Sequence, residues 1–343
     1  MAKFVQLHLL TSYPPSNLNR DDLGRPKTAT MGGSERLRVS SQSLKRTWRT
    51  SDLFEEAMSG HIGTRTKRLG GEVEAKLLAK GVLEKNAKEW ATTIANEFGK
   101  AKKDSTEIEQ LAHISPEEQQ LVNALVESLV MENRAPEKEE LQLLRAKTSA
   151  VDIALFGRML ASSPDYNVEA ACQVAHAISV HSVAIEDDYF TAVDDLNREG
   201  GQGAAHIGEA GFAAALFYTY ICIDKELLVE NLGGDLELAT NAISALTEAA
   251  VKVSPKGKQN TFASRAYSSY VLAEMGNQQP RSLSVAFLEP INSNQQAPAA
   301  IARLTQQVKN FDKVYGDCAD SRMSINAITG EGDFNQLKNF ISD

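Results

Sequence analysis

An α+β fold with a large helical insert is the architecture this sequence predicts, and three observations predict it. Strand-like alternation opens the chain at 4–10 and returns at 212–223. Between them, residues 60 to about 180 are dominated by Glu, Lys, Ala and Leu at helical spacing. Strand and helix patterns then alternate to residue 343. A ferredoxin-like or RRM-like core suits that order, as do other α+β sandwiches.

The elements follow from local pattern. In 4–10, Val5, Leu7 and Leu9 alternate with Gln6 and His8. Tyr13 to Gly33 is rich in Pro, Gly, Asn and Asp and reads as a long loop, long enough to suspect a role in function. Ser40 or Ser41 can cap a helix whose apolar face is Leu44, Trp48 and Phe54. Helical periodicity then covers 72–80, 84–98, 115–132, 136–160 and 167–180, with Pro116 and Pro136 at first-turn positions. Gly200, Gly201 and Gly203 make a pliable turn. Helices are expected at 235–251, 298–314 and 333–341, and strands at 261–273 and 283–288.

Composition sets outer limits. The chain is 42% hydrophobic and 24% charged, ordinary for a globular protein and wrong for a disordered chain, collagen or a coiled-coil rod. Cys172, Cys222 and Cys318 are too few for a disulfide scaffold and lack zinc-ligand spacing. The apolar run 210–223 has fourteen residues, where a membrane helix needs about twenty. No leader is evident after Lys3, so a cytoplasmic protein with no membrane partner is expected.

Charge is unevenly spread. The net charge is -9, which speaks against a general nucleic-acid binder. Residues 20–49 nevertheless hold Arg20, Arg25, Lys27, Arg36, Arg38, Lys45, Arg46 and Arg49 against Asp21, Asp22 and Glu35. Eight cations less three acids make that window +5 and leave -14 for the rest. A basic patch on an acidic body focuses a polyanion on one place, although a solvated helix face would look the same.

Other motifs carry less. Gly257-Lys258 lacks the glycine and hydroxyl of a phosphate-binding loop. His176 and His181 are five apart, poor spacing for one helix face, and no metal or cofactor is expected. Glu186, Asp187, Asp188, Asp194 and Asp195 read as solvated strand and loop ends rather than a cation site. Asp21 and Asp22 could hold a metal ion or act as a base near a phosphodiester, or could pair with Arg20 and Arg25 to shape the loop.

The strongest constellation is SSQSLKRTWR, residues 40–49. A helix start favours a phosphate, Lys45, Arg46 and Arg49 supply charge, and serines and Gln42 offer neutral hydrogen bonds to phosphate or 2′-OH. Such a set grips a backbone without reading bases. Its plainer alternative is a capped amphipathic helix with a basic surface.

These residues also carry a resemblance. FVQLHLLTSYPPSNLNRDDLGRPKTATMGG followed by RLRVSSQSLKRTWR, then VDIALFGRM (151–159), AHAISVHSVAIEDDYFTAVDDL (175–196), AHIG (205–208) and FYTY (217–220), is similar to the CasC family, the repeated backbone subunit of the CRISPR type I-E Cascade. The resemblance implies a hand: an RRM-like palm at 1–58 and 182–343, helical fingers at 59–181 and a flexible thumb loop at 193–212. It implies a non-catalytic protein whose copies stack head to tail along a CRISPR guide RNA. The guide is kinked about every sixth nucleotide, and its other bases stay open to target DNA. Other Cascade subunits are implied partners. Residue by residue, Arg20, Lys27, Ser40, Gln42, Ser43, Lys45, Arg46 and Arg49 are expected to face the guide backbone. Related chains carry a bulky apolar residue after GRM, beside the kinked base; here the segment reads LASSPDYN, and Tyr166 is expected in that place. Two rivals remain: a metal-dependent endoribonuclease acting through Asp21 and Asp22 on guide-paired RNA, and an RRM-type RNA chaperone that binds as a monomer.

Overall fold

The computed structural model describes residues 2–192 and 206–342. The chain opens with β1 (Phe4–Ser16), β2 (Thr28–Met31), β3 (Ser34–Val39), α1 (Ser41–Arg49) and α2 (Asp52–Ala57). Next come β4 (Thr64–Thr66), α3 (Leu69–Ala79), α4 (Glu84–Phe98), β5 (Ala112–Ile114), α5 (Pro116–Glu132) and α6 (Val151–Phe156). Strands β6 (Cys172–Val174), β7 (Ala177–Ser179), β8 (Glu186–Ala192) and β9 (His206–Asp224) follow. Helices α7 (Lys225–Asn231), α8 (Leu236–Lys252) and α9 (Gln259–Phe262) lead to β10 (Ser268–Gly276), α10 (Gln296–Tyr315), β11 (Ser321–Asn326) and α11 (Phe334–Ser342).

This is the expected mixture of sheet and helix. A sheet of nine strands runs β11-β10-β1-β9-β7-β3-β2, with β6 and β8 also paired to β9, and β4–β5 form a separate pair. By internal packing the chain forms two compact units. Met1–Phe54, Val174–Cys222 and Leu246–Asp343 make one, and Glu55–Gln173 with Ile223–Ala245 make the other. Of the segment expected as a thumb, 193–205 lie outside the described residues, and 206–212 begin β9, paired to β8 from Ala192↔His206 to Glu186↔Phe212.

In the first unit β1 pairs antiparallel with β10, Phe4↔Gly276 to Thr11↔Ser268. Alternation alone would leave one face of β1 wet, yet Val5, Leu7 and Leu9 are buried and so are Gln6, His8 and Leu10. A central strand covered on both faces loses its wet side, and the polar residues on that side are therefore paired. Leu283 N–H donates to Tyr218 Oη (2.9 Å), and Tyr218 in turn lies 2.9 Å from His8 Nδ1. His8 Nε2 lies 3.1 Å from Glu274 on β10, which also accepts from Arg281 and from Arg322 Nε (2.6 Å).

Burial pushes the Glu274 carboxyl up, but the donors from His8, Arg281 and Arg322 outweigh it and hold it well below the usual carboxylate range. Burial likewise lowers His8, against the pull of Glu274. Both depressed groups bind fewer protons folded than unfolded, so both make the fold more stable as pH rises. The Glu274 contribution is complete above its unfolded value of 4.5 and is lost as pH falls below it; that of His8 begins to fade below 6.5. Urea midpoints should therefore fall between pH 7 and pH 3, and the part of the fall below pH 4.5 should be shallower in Glu274→Gln. Equal slopes for the two proteins would contradict this account.

The other elements show where local pattern fails. The predicted loop 13–33 contains the outer strand of a hairpin, β2 with β3, closed by Gly32 and Gly33 at φ 59° and 73°, the type I′ pattern. A Cβ on Gly32 would sit 1.6 Å from Leu288 O, so the turn lies against backbone. Arg36 on β3 is fully buried and donates to Ser179 O (3.0 Å), Phe287 O (3.0 Å) and Leu288 O (3.2 Å). The expected helix over 167–180 is instead β6 and β7, and the expected strand at 283–288 is a 3-10 turn, Ser284–Phe287. Leu283 and Phe287 enter the core at i, i+4, beside Ala300, Leu304 and Val308 of α10.

The second unit has its own core, from Leu77 of α3, Trp90 and Ile94 of α4, and Val122 and Leu129 of α5. Ser115 and Glu118 form a reciprocal cap at the start of α5, with Pro116 in its first turn. Of the expected helix 136–160, only a 3-10 turn at Lys138–Leu141 and α6 form.

Candidate nucleic-acid interface

The basic window folds into a loop and a helix that brace one another. Asn17 Nδ2 donates to Gly24 O (3.0 Å) and Gly211 O (2.9 Å). Asn19 Oδ1 accepts from Ser40 N–H (2.9 Å), and Lys27 N–H donates to Asn19 O (2.8 Å). Asp21 Oδ1 accepts from the amides of Leu23 and Arg25, each at 2.9 Å, which folds the tip back on itself. Asp21 thus shapes the loop through backbone amides, and Arg25 pairs with Asp187 at 3.1 Å rather than with its neighbours.

Ser40 caps α1: its backbone is extended and its Oγ accepts from Ser43 N–H (3.3 Å). Leu44, Thr47 and Trp48 are buried, so the opposite side of α1 carries Gln42, Lys45, Arg46 and Arg49. Arg46 and Arg49 stand in the last turn, where the helix dipole favours cations.

Loop and helix form a cleft of about 520 Å³ lined by Arg20, Asp22, Ser43, Arg46, Lys256 and Gly257. Three of the expected residues, Arg20, Ser43 and Arg46, meet here. Gln42 is exposed, and Lys45 and Arg49 are half-buried on the same helix. Ser40 is only 8% exposed and its hydroxyl is engaged in the cap. Lys27 lies apart, in a small recess with Arg38, whose Nη1 is 2.9 Å from His176 Nδ1. Burial lowers the pKa of His176, and Arg38 and Lys27 lower it further. Tyr166, in the second unit, packs against that unit's core, while Met159 is 82% exposed. Arg36 belongs to the interior rather than to the charged surface.

Lys256 and Gly257 were not legible as site residues. Their contribution depends on a segment more than 200 positions away folding onto the loop. Lys256 Nζ donates to Thr50 O (3.2 Å). A Cβ on Gly257 would lie 2.2 Å from Leu18 O, so only glycine lets the two backbones approach this closely. Gly257 supplies closeness here, without any phosphate-loop geometry.

Comparison with known proteins now decides the family. The model of the CT1975-like protein family matches residues 5–340. The chain belongs to that family. No curated protein matches this CT1975-like chain. Among solved structures, it is similar to a chain of a CRISPR RNA-guided surveillance complex described as pre-nicking, at 28% identity and TM-score 0.85 over 99% of each chain. A chain from a second CRISPR RNA-guided surveillance complex is 27% identical at TM-score 0.64, over 99% of this CT1975-like chain and 98% of the other.

Proposed function

We propose that this CT1975-like chain is the guide-binding backbone subunit of a type I-E Cascade, of CasC type. The observation that carries the reading is the cleft where Arg20, Ser43, Arg46 and Lys256 converge, in a chain whose solved relatives belong to RNA-guided surveillance complexes. Cations and neutral donors in one cleft suit a protein that holds sugar and phosphate and leaves sequence to guide–target pairing. In this reading residues 1–58 and 182–343 act as palm, 59–181 as fingers and 193–212 as thumb. Copies stack head to tail along the guide, a heterologous contact that need not close. Other Cascade subunits and target DNA complete the assembly in the cytoplasm. Asp21 accepts from two amides of its own loop, which favours a loop-shaping role for it over cleavage through the Asp21–Asp22 pair.

If about five phosphates are neutralised per copy, the single-strand salt slope is about -3.5, and a fourfold rise in salt weakens one copy roughly a hundredfold. Binding therefore has to be cooperative. Co-expression with a cognate CRISPR transcript tests the reading. The purified protein should carry RNA of guide length and form filaments in electron micrographs. Nucleotide-free, solitary protein in the presence of that transcript would end it.

A further inference from the structure

A second cleft, of about 490 Å³, adjoins the first, and the two meet at Lys256. Its walls include Ser51, Asp52, Ser254, Arg265 and Tyr267. The segment 256–265, KGKQNTFASR, holds three cations and no acid. Lys252 also borders the cleft, but its ammonium is taken by Glu248 at 2.5 Å. Arg265 and Lys256 are exposed, and neither has an acidic partner among the described residues. Tyr267 is 67% exposed, a large aromatic face beside two cations rather than part of an apolar patch.

The segment carrying these groups is held in place. Ser254 Oγ accepts from Ala266 N–H (2.7 Å) and donates to Ala266 O (3.1 Å), fixing the residue between Arg265 and Tyr267. Helix α9 is bracketed by Lys258 and Ala263, both left-handed at φ 49° and 47°. Non-glycine residues held there are strained, and such strain concentrates where a surface is preset. Phe262 anchors α9 against Phe212 of β9, ring centroids 5.9 Å apart.

An aromatic face flanked by cations is how proteins hold single strands without reading sequence: the ring takes a base and the cations take phosphates. We propose that the second cleft is a nucleotide subsite for single-stranded RNA, in which Tyr267 stacks on one base and Arg265 and Lys256 hold the flanking phosphates. The proposal rests on the guide-binding reading above and extends the strand's path from the first cleft past Lys256.

Anisotropy titrations of the full chain with labelled oligouridine at low salt test it. Tyr267→Ala should weaken binding about tenfold, the size expected for one stacked base. Tyr267→Phe, which keeps the ring, should bind within about twofold of the wild type, and Arg265→Ala should bind less tightly with a smaller salt slope. Truncating an exposed ring leaves the core intact, which circular dichroism of the variants checks. Wild-type binding by Tyr267→Ala, while Arg20→Glu with Arg46→Glu loses it, would overturn the second subsite and leave the first cleft standing. A Tyr267→Ala protein that holds oligouridine normally but no longer associates with copies of itself would make the cleft a protein contact and likewise overturn it. Failure of the wild type to bind oligouridine would remove both readings.

Discussion

Replacing Arg20 and Arg46 together by glutamate is expected to strip the guide RNA from the purified chain. Both side chains are exposed and line one cleft, from the loop and from α1. Each loses a charge-assisted hydrogen bond to phosphate of about 1.5–3 kcal/mol, so the pair amounts to roughly a hundredfold to ten-thousandfold in affinity. The salt slope should fall by about 1.4, two phosphates at 0.7 each. Neither guanidinium supports the core, so melting temperature should hardly move. The measurements are the ratio of absorbance at the nucleic-acid and protein maxima after purification and filter binding across a salt series. Undiminished RNA with an unchanged slope would mean that the cleft is not where the backbone lies.

The largest effect on stability is expected from Arg158→Ala. Arg158 and Glu118 are both essentially out of water, and Arg158 Nη1 reaches both carboxylate oxygens at 2.7 and 2.9 Å. Its Nη2 donates to Arg145 O (2.7 Å) and Tyr166 O (3.1 Å). Removing the arginine leaves a buried carboxylate without its counter-charge, at a cost of about 3–5 kcal/mol. That is a large share of the roughly 5–15 kcal/mol typical of a folded domain. Hydrogen exchange should show the amides of α5, which Glu118 caps, losing protection, while β1 and β10 in the other unit keep theirs. Unchanged protection in α5 would show that the pair contributes little.

This second expectation bears on what a sequence reveals. VDIALFGRM is one of the stretches that carry the resemblance, yet its polar residues are internal ties. Asp152 accepts from Gly63 N–H (2.8 Å) and meets His113 Nε2 (2.8 Å), and Arg158 is the buried clamp just described. The helices α3, α4, α5, α8, α10 and α11 were readable because each shows a stripe at a period near 3.6. Strands β6 and β7 were not, because CQV and AIS are too short to show a period, and their Ala-rich surroundings mimic a helix. The 283–288 segment looked alternating, but Leu283 and Phe287 are the pair that packs, and their spacing of four is helical. The β2–β3 hairpin did carry a signal, Gly32-Gly33, hidden inside a long polar stretch. The α1 part of the cleft was visible because cap, apolar face and cations lie within ten residues; Lys256 and Tyr267 reach their places only through tertiary packing.

The partners of β1 set a timetable for biosynthesis. Phe4 is matched with Gly276, 272 positions later in the chain. At translation rates of about 5–20 residues per second, that is a wait of about 15–55 seconds between making the first strand and making its mate. The other neighbour of β1, β9, is made earlier, but until β10 emerges one edge of β1 stays unpaired on the nascent polypeptide, open to chaperones and to wrong pairings. The helical middle of the chain leaves the ribosome in that interval and can form its own interior first, so the sheet is the last part of the molecule to close.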